Sequence, residues 1–151
     1  PYFNFTVPEP TGVVAAIAPE DTSLLGLVSI IAPVIAGGNT IVILASESHP
    51  LCSITFAEVL HTSDVPAGVV NILTGYRSEL IEHFSSHMDV NAILYCGDDT
   101  EHKTLVETNA ALNVKRVIQF PKQNWSQNQH QSPYHIMKSQ ETKTTWHPIG
   151  V

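Results

Sequence analysis

Basic residues are scarce in this sequence. Its 151 residues include 7 Lys and Arg against 14 Asp and Glu, which gives a formal net charge of −7. An acidic chain is repelled by the phosphates of nucleic acids and by anionic membrane surfaces. We therefore expect neither nucleic acid nor a membrane among its partners.

Cysteine is also scarce, since Cys52 and Cys96 are the two that the sequence contains. Two cysteines without paired spacing are too few for a disulfide framework, so reduced thiols and a cytoplasmic location are expected. Zinc-ligand spacing is missing as well. His83 and His87 could share one face of a predicted helix, but no third ligand is placed to complete a site. A solvated helix end is the favoured interpretation, and we predict no metal site.

Charge is absent from Thr22 to Ser46, a run long enough to suggest a membrane span. However, Gly26, Pro33 and the Gly-Gly-Asn sequence at 37–39 interrupt the run, and β-branched residues follow. A helix packed against a sheet and then a buried parallel strand explain the run better than a membrane helix does.

What the sequence does contain is an alternation of apolar strands and helices. Residues 21–23 suit the start of the first helix, and the glycines after Ala36 suit its end. In the second helix, Ile54, Phe56 and Val59 are expected to be buried. Five strands separated by helices imply an α/β fold, a doubly wound parallel sheet with right-handed crossovers. The predicted strands are 13–17, 40–44, 69–74, 92–95 and 116–120, and the predicted helices are 24–36, 51–61, 78–87 and 100–111.

After Pro121 the composition changes. Residues 122–143 are rich in Gln, Asn, Ser and His, whereas the chain is apolar again from Trp146. We predict an α/β domain at residues 1–121, followed at 122–151 by a loosely packed polar tail with an apolar C-terminal anchor. Because an incomplete domain leaves an apolar patch uncovered, Trp146 is expected to dock on that patch or on a second chain.

Five segments carry a resemblance to a known family: Pro10–Pro19, Ala32–Val42, Val65–Gly75, Ile93–Gly97 and Asn113–Val117. Their order and spacing resemble the first half of the cofactor-binding domain of the aldehyde dehydrogenase superfamily. The resemblance implies an incomplete Rossmann-like domain, with NAD(P) as the family's cofactor. The polar tail and its terminal Trp146-x-Pro-x-Gly150 are further similar to the incomplete, non-catalytic second module of the two-module, family-sixteen type.

Most residues that the family uses for chemistry are replaced. Glu20 and Asp21 stand where family members have a tryptophan and the asparagine that helps to hold the oxyanion. A carboxylate cannot donate that hydrogen bond, and its charge repels the intermediate. The family's general-base glutamate aligns near Phe120, and its nucleophilic cysteine belongs to a domain outside these segments. We therefore predict no catalytic residue, and Cys96 is expected to be a buried structural thiol.

The resemblance also implies a reduced cofactor site. Glu47 is the glutamate that contacts the adenosine ribose in the family, and Gly97 is the one retained glycine of the turn that follows the fourth predicted strand. Leu44 replaces the companion lysine of the ribose contact, and the loop after it contains no Lys or Arg. Asp98 and Asp99 are expected to cap the next helix, where they repel a phosphate. We therefore predict a vestigial site at Glu47 and Gly97 and no tightly bound cofactor.

Three hypotheses for the function follow. The favoured one is a catalytically inactive module with a structural or protein-interaction role. Its partner would be a complete aldehyde dehydrogenase module of the same polypeptide, a second copy in a homodimer, or another protein. The alternative is the NAD(P)-binding portion of an active enzyme that oxidises aldehydes to carboxylic acids. An unrelated α/β binding protein is a third and weaker possibility. Because the first residue is Pro1 rather than methionine, we expect a piece of a longer polypeptide.

Overall fold

Runs of Val and Ile form the central sheet of the computed structural model, which describes residues 2–150. The strands are β1 (Tyr2–Pro10), β2 (Val13–Ile17), β3 (Thr40–Leu44), β4 (Val70–Leu73), β5 (Ala92–Cys96), β6 (Arg116–Phe120) and β7 (Gln140–Pro148). Five of them make a parallel sheet in the order β4-β3-β2-β5-β6. The predicted α/β fold with about five parallel strands is confirmed.

Four longer helices connect the sheet strands, and they are α1 (Leu25–Ala36), α2 (Leu51–His61), α3 (Arg77–Ser86) and α4 (Thr100–Ala111). Successive residues of β2 face opposite layers, as in any strand. Val14 and Ala16 pack in one core with α1, whereas Ala15 and Ile17 pack in a second core with α3 and α4. The sheet is therefore covered on both faces, which explains why its central strands are continuously apolar.

Two expectations about the helices are wrong. Helix α1 begins at Leu25 with Leu24 at the N-cap position, so no side chain at 21–23 caps it. In α2, Ile54 and Val59 are exposed, and Phe56 is the one of the three that packs partly against the core. These two side chains are exposed because α2 contacts the edge strand β4, so little of the sheet lies beneath the helix.

The two ends of the described chain form a ribbon that the sequence did not predict. Strand β1 pairs antiparallel with β7 over nine residues, from Tyr2 opposite Pro148 to Pro10 opposite Gln140. Every residue of β1 is exposed. In β1, Phe3, Phe5 and Val7 alternate with polar residues, which is the pattern of a half-buried strand, whereas β7 has no such alternation. Neither strand has a buried residue.

The expected loose packing of the segment after Pro121 is wrong. Trp125 is buried in the core beside Phe120, at 5.5 Å between ring centroids. A 3₁₀ turn (Asn128–His130) and a short helix, α5 (His135–Lys138), lead into β7. The division of the chain at residue 121 stays a prediction, although β1 and β7 join the two proposed parts in one ribbon.

The charge-free run resolves into α1 and β3, as predicted. None of the helices formed by residues 2–150 is long and apolar enough to cross a membrane.

Candidate functional site

A cleft lies where the chain reverses its direction across the sheet. The chain proceeds from β2 outward to β3 and β4, then returns to β5 on the other side of β2. In open α/β sheets such a switch point, at the carboxyl ends of the strands, is where ligands bind. The cleft here has a volume of about 140 Å³, and Glu20, Arg77 and Gly97 are among its lining residues. A more open pocket of about 510 Å³ shares Glu20 and Arg77 with this cleft and is also lined by Glu47.

Glu20 occupies the sheet edge between β2 and the loop after β3. Its Oε1 accepts hydrogen bonds from the backbone N–H of Ser48 at 2.7 Å and from the Ser46 hydroxyl at 3.0 Å, and the Ser48 hydroxyl also donates to it. Its Oε2 accepts the N–H of Glu47 at 3.1 Å. The side chain thereby binds the free amides of a loop that could otherwise hold an external anion.

These contacts keep the Glu20 side chain ionised. Burial by itself raises the pKa of the carboxyl group. The hydrogen bonds from Ser48, Glu47 and Ser46 outweigh that effect and lower the pKa from its ordinary value of 4.5 to about 2. A fixed negative charge therefore stands at the mouth of the cleft at any physiological pH.

Arg77 completes the ion pair, and the sequence analysis missed it. Its Nη2 lies 3.0 Å from Glu20 Oε2 and also donates to the carbonyl of Ala18. The loop after β3 contains no Lys or Arg, as stated, but Arg77 enters the same region from the start of α3, just after β4. Arg77 could have been predicted from the topology, since the carboxyl ends of parallel strands meet at one edge of a sheet.

Glu47, one of the two predicted vestigial cofactor residues, is already engaged. Its Oε2 accepts the backbone N–H of Arg77 at 2.9 Å, at the first residue of α3. The carboxylate thus satisfies one of the free amides that every helix has at its N-terminus. Its role in this chain is to join the loop after β3 to the start of α3.

The other predicted residue is Gly97, and the backbone conformation at this position requires a glycine. It has a φ of 154°, and a Cβ at this position would lie 2.9 Å from the Tyr95 hydroxyl oxygen. Its N–H donates to the carbonyl of Phe120 at 3.0 Å, which extends the pairing of β5 with β6. The amide is therefore not free to bind a phosphate, and conformation alone accounts for glycine here.

The two aspartates after Gly97 have different roles. Asp99 caps α4 as expected, because its Oδ1 accepts the N–H of His102 at 2.8 Å, and this bond lowers the pKa of the Asp99 carboxyl. Asp98 does not cap the helix. Its Oδ2 accepts the N–H of Lys122 at 3.1 Å, and its Oδ1 lies 3.5 Å from Lys103 Nζ.

Every charged side chain that lines the cleft is paired within the described chain. Glu20 pairs with Arg77, Asp98 pairs with Lys103, and the remaining pair places Lys122 Nζ at 2.6 Å from Asp21 Oδ2. A phosphate entering this cleft therefore meets no unpaired cation. It meets three carboxylates against two cationic side chains.

The remaining candidates for chemistry are structural. The Cys96 thiol is 3% exposed, and burial raises its pKa far above the ordinary range of a thiol, which confirms the expected buried position. Leu44 is fully buried in the sheet, so a lysine placed there would point into the core. Phe120, at the position that the resemblance gives to the family's base, packs on Trp125 and His135.

Among residues 2–150, no group of three or more His, Cys, Asp or Glu side chains could hold a metal ion.

Comparison with known proteins agrees with this fold. The model of the aldehyde dehydrogenase family matches residues 1–119. An aldehyde dehydrogenase from Aspergillus niger is 36% identical over 114 residues, which is 76% of this chain and 23% of that protein. A hydroxyisobutyraldehyde dehydrogenase from Mycolicibacterium austroafricanum is 43% identical over 94 residues, or 62% of this chain and 19% of that protein.

Solved structures give the same result. A variant of aldehyde dehydrogenase C from Pseudomonas syringae, solved in complex with NAD⁺ and octanal, matches with a TM-score of 0.74 and 35% identity. The match covers 78% of this chain and 24% of that structure. The chain thus spans about a quarter of the length of its relatives. It belongs to the aldehyde dehydrogenase family.

Proposed function

We propose that this chain is a non-catalytic aldehyde dehydrogenase module, a pseudoenzyme whose cofactor cleft is filled by its own side chains. The single observation that carries the proposal is the position of the Glu20 carboxylate. It binds the amides of the loop after β3 and the Arg77 guanidinium, the groups at this edge that an anionic cofactor would need. The charged side chains of the cleft pair with one another, so a dinucleotide would have to compete with these ion pairs. Arg77 Nε and Gln123 Nε2 are the buried nitrogen donors of the cleft lining that have no hydrogen-bond partner among the described residues.

Electrostatics supports the same conclusion. A dinucleotide carries two negative phosphates, and like charges about 5 Å apart repel by roughly 1 kcal/mol per pair in a well-solvated site. Displacing Glu20 would separate a partly buried ion pair and uncover Arg77, whose side chain is 15% exposed.

The role that we assign to the module is structural. It would pack against a complete aldehyde dehydrogenase module, either in the same polypeptide, as in the two-module family-sixteen type, or in a dimer. A cytoplasmic location is part of the same proposal. The sheet and its two cores need none of the catalytic residues, so the fold can persist where the chemistry has been lost.

Calorimetric titration of the full chain with NAD and with NADP tests this proposal. We expect a dissociation constant of about 1 mM or weaker, near −4 kcal/mol. Glu20→Ser should strengthen binding at least about tenfold, because it frees Arg77 and the loop amides. The matched control is Glu82→Ser, since Glu82 is an exposed carboxylate on the helix that begins at Arg77.

Micromolar binding by the unmodified chain would contradict the proposal. It would favour the alternative that this is the cofactor-binding portion of an active enzyme. Equal affinities of the Glu20→Ser and Glu82→Ser variants would show that Glu20 does not exclude the cofactor.

A further inference from the structure

The segment that follows β6 lies over one side of the cleft. Residues 121–131, here called the cover segment, run from the end of β6 through the 3₁₀ turn before α5. The family model matches residues 1–119, so the cover segment lies outside the matched part of the chain. Its position is explained by its own contacts. The residues of the segment that line the cleft are Pro121, Lys122, Gln123 and Trp125.

Lys122 attaches the first end of the cover segment to the ends of two strands. Its Nζ lies 2.6 Å from Asp21 Oδ2, and its backbone N–H donates to Asp98 Oδ2 at 3.1 Å. Asp21 follows β2 and Asp98 follows β5, and these two strands are neighbours in the sheet. The hydrogen bond to Asp21 raises the pKa of the Lys122 ammonium group, so this attachment is charged at physiological pH.

Gln131 attaches the other end of the cover segment to α1. Its Nε2 lies 2.8 Å from Ser29 Oγ and also donates to the backbone carbonyl of Trp125. Between the two attachments, Trp125 is the one residue of the segment that is buried, and it belongs to the core on the α1 face of the sheet. The segment is therefore held by one aromatic ring and by polar contacts at its ends.

These attachments make the cover segment less stable than the sheet beneath it. Segments with few buried apolar contacts and with exposed hydrogen bonds open locally, at a lower free energy than unfolding of the whole domain. The ion pair of Lys122 with Asp21 is exposed, since 71% of the lysine side chain and 60% of the aspartate side chain are accessible. Dissolved salt screens such a pair, so local opening should become easier as the ionic strength rises.

Cys96 reports whether the cover segment is open. Its thiol lines the cleft, is 3% exposed and belongs to the same buried cluster as Trp125. Burial raises the pKa of the Cys96 thiol, and a thiol reagent reacts with the thiolate, so the covered thiol reacts slowly. Withdrawal of the segment exposes Cys96 to water and restores its reactivity.

We propose that the cover segment is an autoinhibitory strap, which closes the cleft and opens locally, with release of Lys122 and Trp125, while the sheet stays folded. Glu20 occupies the β3 side of the cleft, and the cover segment closes the β5 side. Ionic strength shifts the segment between its closed and open states. This inference rests on the proposed function in treating the cleft as the former cofactor site.

The kinetics of thiol modification test the proposal in the full chain. Cys52 is exposed, so a Cys52→Ser background leaves Cys96 as the one thiol. Its reaction with dithiodipyridine, an uncharged reagent, should accelerate as sodium chloride rises from about 0.05 M to about 1 M. Lys122→Gln should accelerate the reaction about twofold to fivefold at low salt, the range for an exposed ion pair, and should remove most of the salt dependence.

The matched control is Lys143→Gln. It removes an exposed lysine from the pair with Glu141 on the ribbon, and neither of these residues lines the cleft. Both variants lose one positive charge and one surface ion pair, so they differ in where the pair lies. Lys143→Gln should leave the rate of Cys96 modification and its salt dependence unchanged.

Urea separates local opening from global unfolding. Local opening exposes little surface, so below the unfolding transition the rate should change little with urea, whereas global unfolding depends steeply on it. Lys122→Gln combined with Gln131→Ala removes both polar attachments and should react faster than Lys122→Gln alone. Equal rates for Lys122→Gln and Lys143→Gln, or a urea dependence as steep as that of unfolding, would overturn the proposal. No cofactor enters these measurements, so the NAD titration decides the proposed function separately.

Discussion

Glu20 is the residue on which the interpretation of the cleft depends. The Glu20 carboxylate joins three elements: the end of β2, the loop after β3 and the start of α3. Five donors contact its two oxygens, if the Arg77 guanidinium is included. A carboxylate with that many donors is a structural group, because its charge is already neutralised by the protein.

The folded state should therefore depend on the ionisation of Glu20. Its pKa is about 2 in the folded chain and 4.5 ordinarily, so its stabilisation is complete above pH 4.5 and is lost as the pH falls towards 2. Glu20→Gln should lower the free energy of unfolding at pH 7 by about 1–2 kcal/mol, after allowance for its exposure. Urea denaturation at pH 7 and pH 3 measures this, and the deficit should shrink at pH 3.

The control for that experiment is Glu82→Gln. Glu82 is exposed on α3, so its replacement should change stability by less than about 0.5 kcal/mol at either pH. A deficit for Glu20→Gln that stays constant between the two pH values would contradict the role of ionisation.

At the scale of elements, the segment after β6 has two parts with different packing. Its first part returns to the core, where Trp125 is 2% exposed between Phe120 and the cluster around α1. Its second part, β7, packs on β1 rather than on the body of the domain. The two tryptophans of the chain therefore stand in opposite environments: Trp125, in the polar stretch, is buried, whereas Trp146, in the apolar terminal stretch, is 64% exposed.

Replacing each tryptophan in turn tests this assignment. Trp125→Ala should lower the free energy of unfolding by about 3 kcal/mol or more, because it leaves a large cavity in the core. Trp146→Ala should lower the stability of the monomer by less than about 1 kcal/mol, since Trp146 is 64% exposed and its ring meets that of Tyr2 edge-on at 6.2 Å between centroids. Thermal and urea denaturation measure both. If both variants lost the same free energy of unfolding, Trp146 would be a buried apolar anchor, as the sequence predicts.

At the scale of the whole molecule, one apolar surface is uncovered. A groove between α3 and the β3–β4 edge is lined by Val42, Leu73, Leu80 and Phe84 among others. It exists because α3 crosses the sheet over β2 and leaves the outer strands bare on that face. The expected apolar patch is thus present, but Trp146 lies on the ribbon, so the predicted docking of the tail on the patch is wrong within one chain.

The whole chain should also oxidise no aldehyde. The cleft has no oxyanion donor at Glu20 or Asp21, and the one cysteine near it, Cys96, is a buried thiol whose pKa burial raises. Loss of a single oxyanion donor costs about a hundredfold in rate or more. We expect no NADH absorbance at 340 nm above the protein-free rate with a series of aldehydes. Activity that Cys96→Ala abolishes and Cys52→Ala leaves intact would contradict this.

The sequence by itself determined the sheet, its helices and the family. Val/Ile runs and glycine stops are local signals, so β3, α2, α4 and β6 have the predicted bounds. The replacement of the family's catalytic residues could also be predicted from the sequence, because each replacement is a substitution at a single position, such as Glu20.

Only the tertiary structure decided what replaces that chemistry. Arg77 is remote in sequence from Glu20, and the pairing of β1 with β7 joins residues more than a hundred positions apart. A charged side chain does not indicate its partner, and the apolar alternation of Phe3, Phe5 and Val7 in β1 does not indicate which strand pairs with it. The charged side chains of the cleft are paired, and β1 is joined to β7, because of where the fold brings these residues, which no short stretch of the sequence specifies.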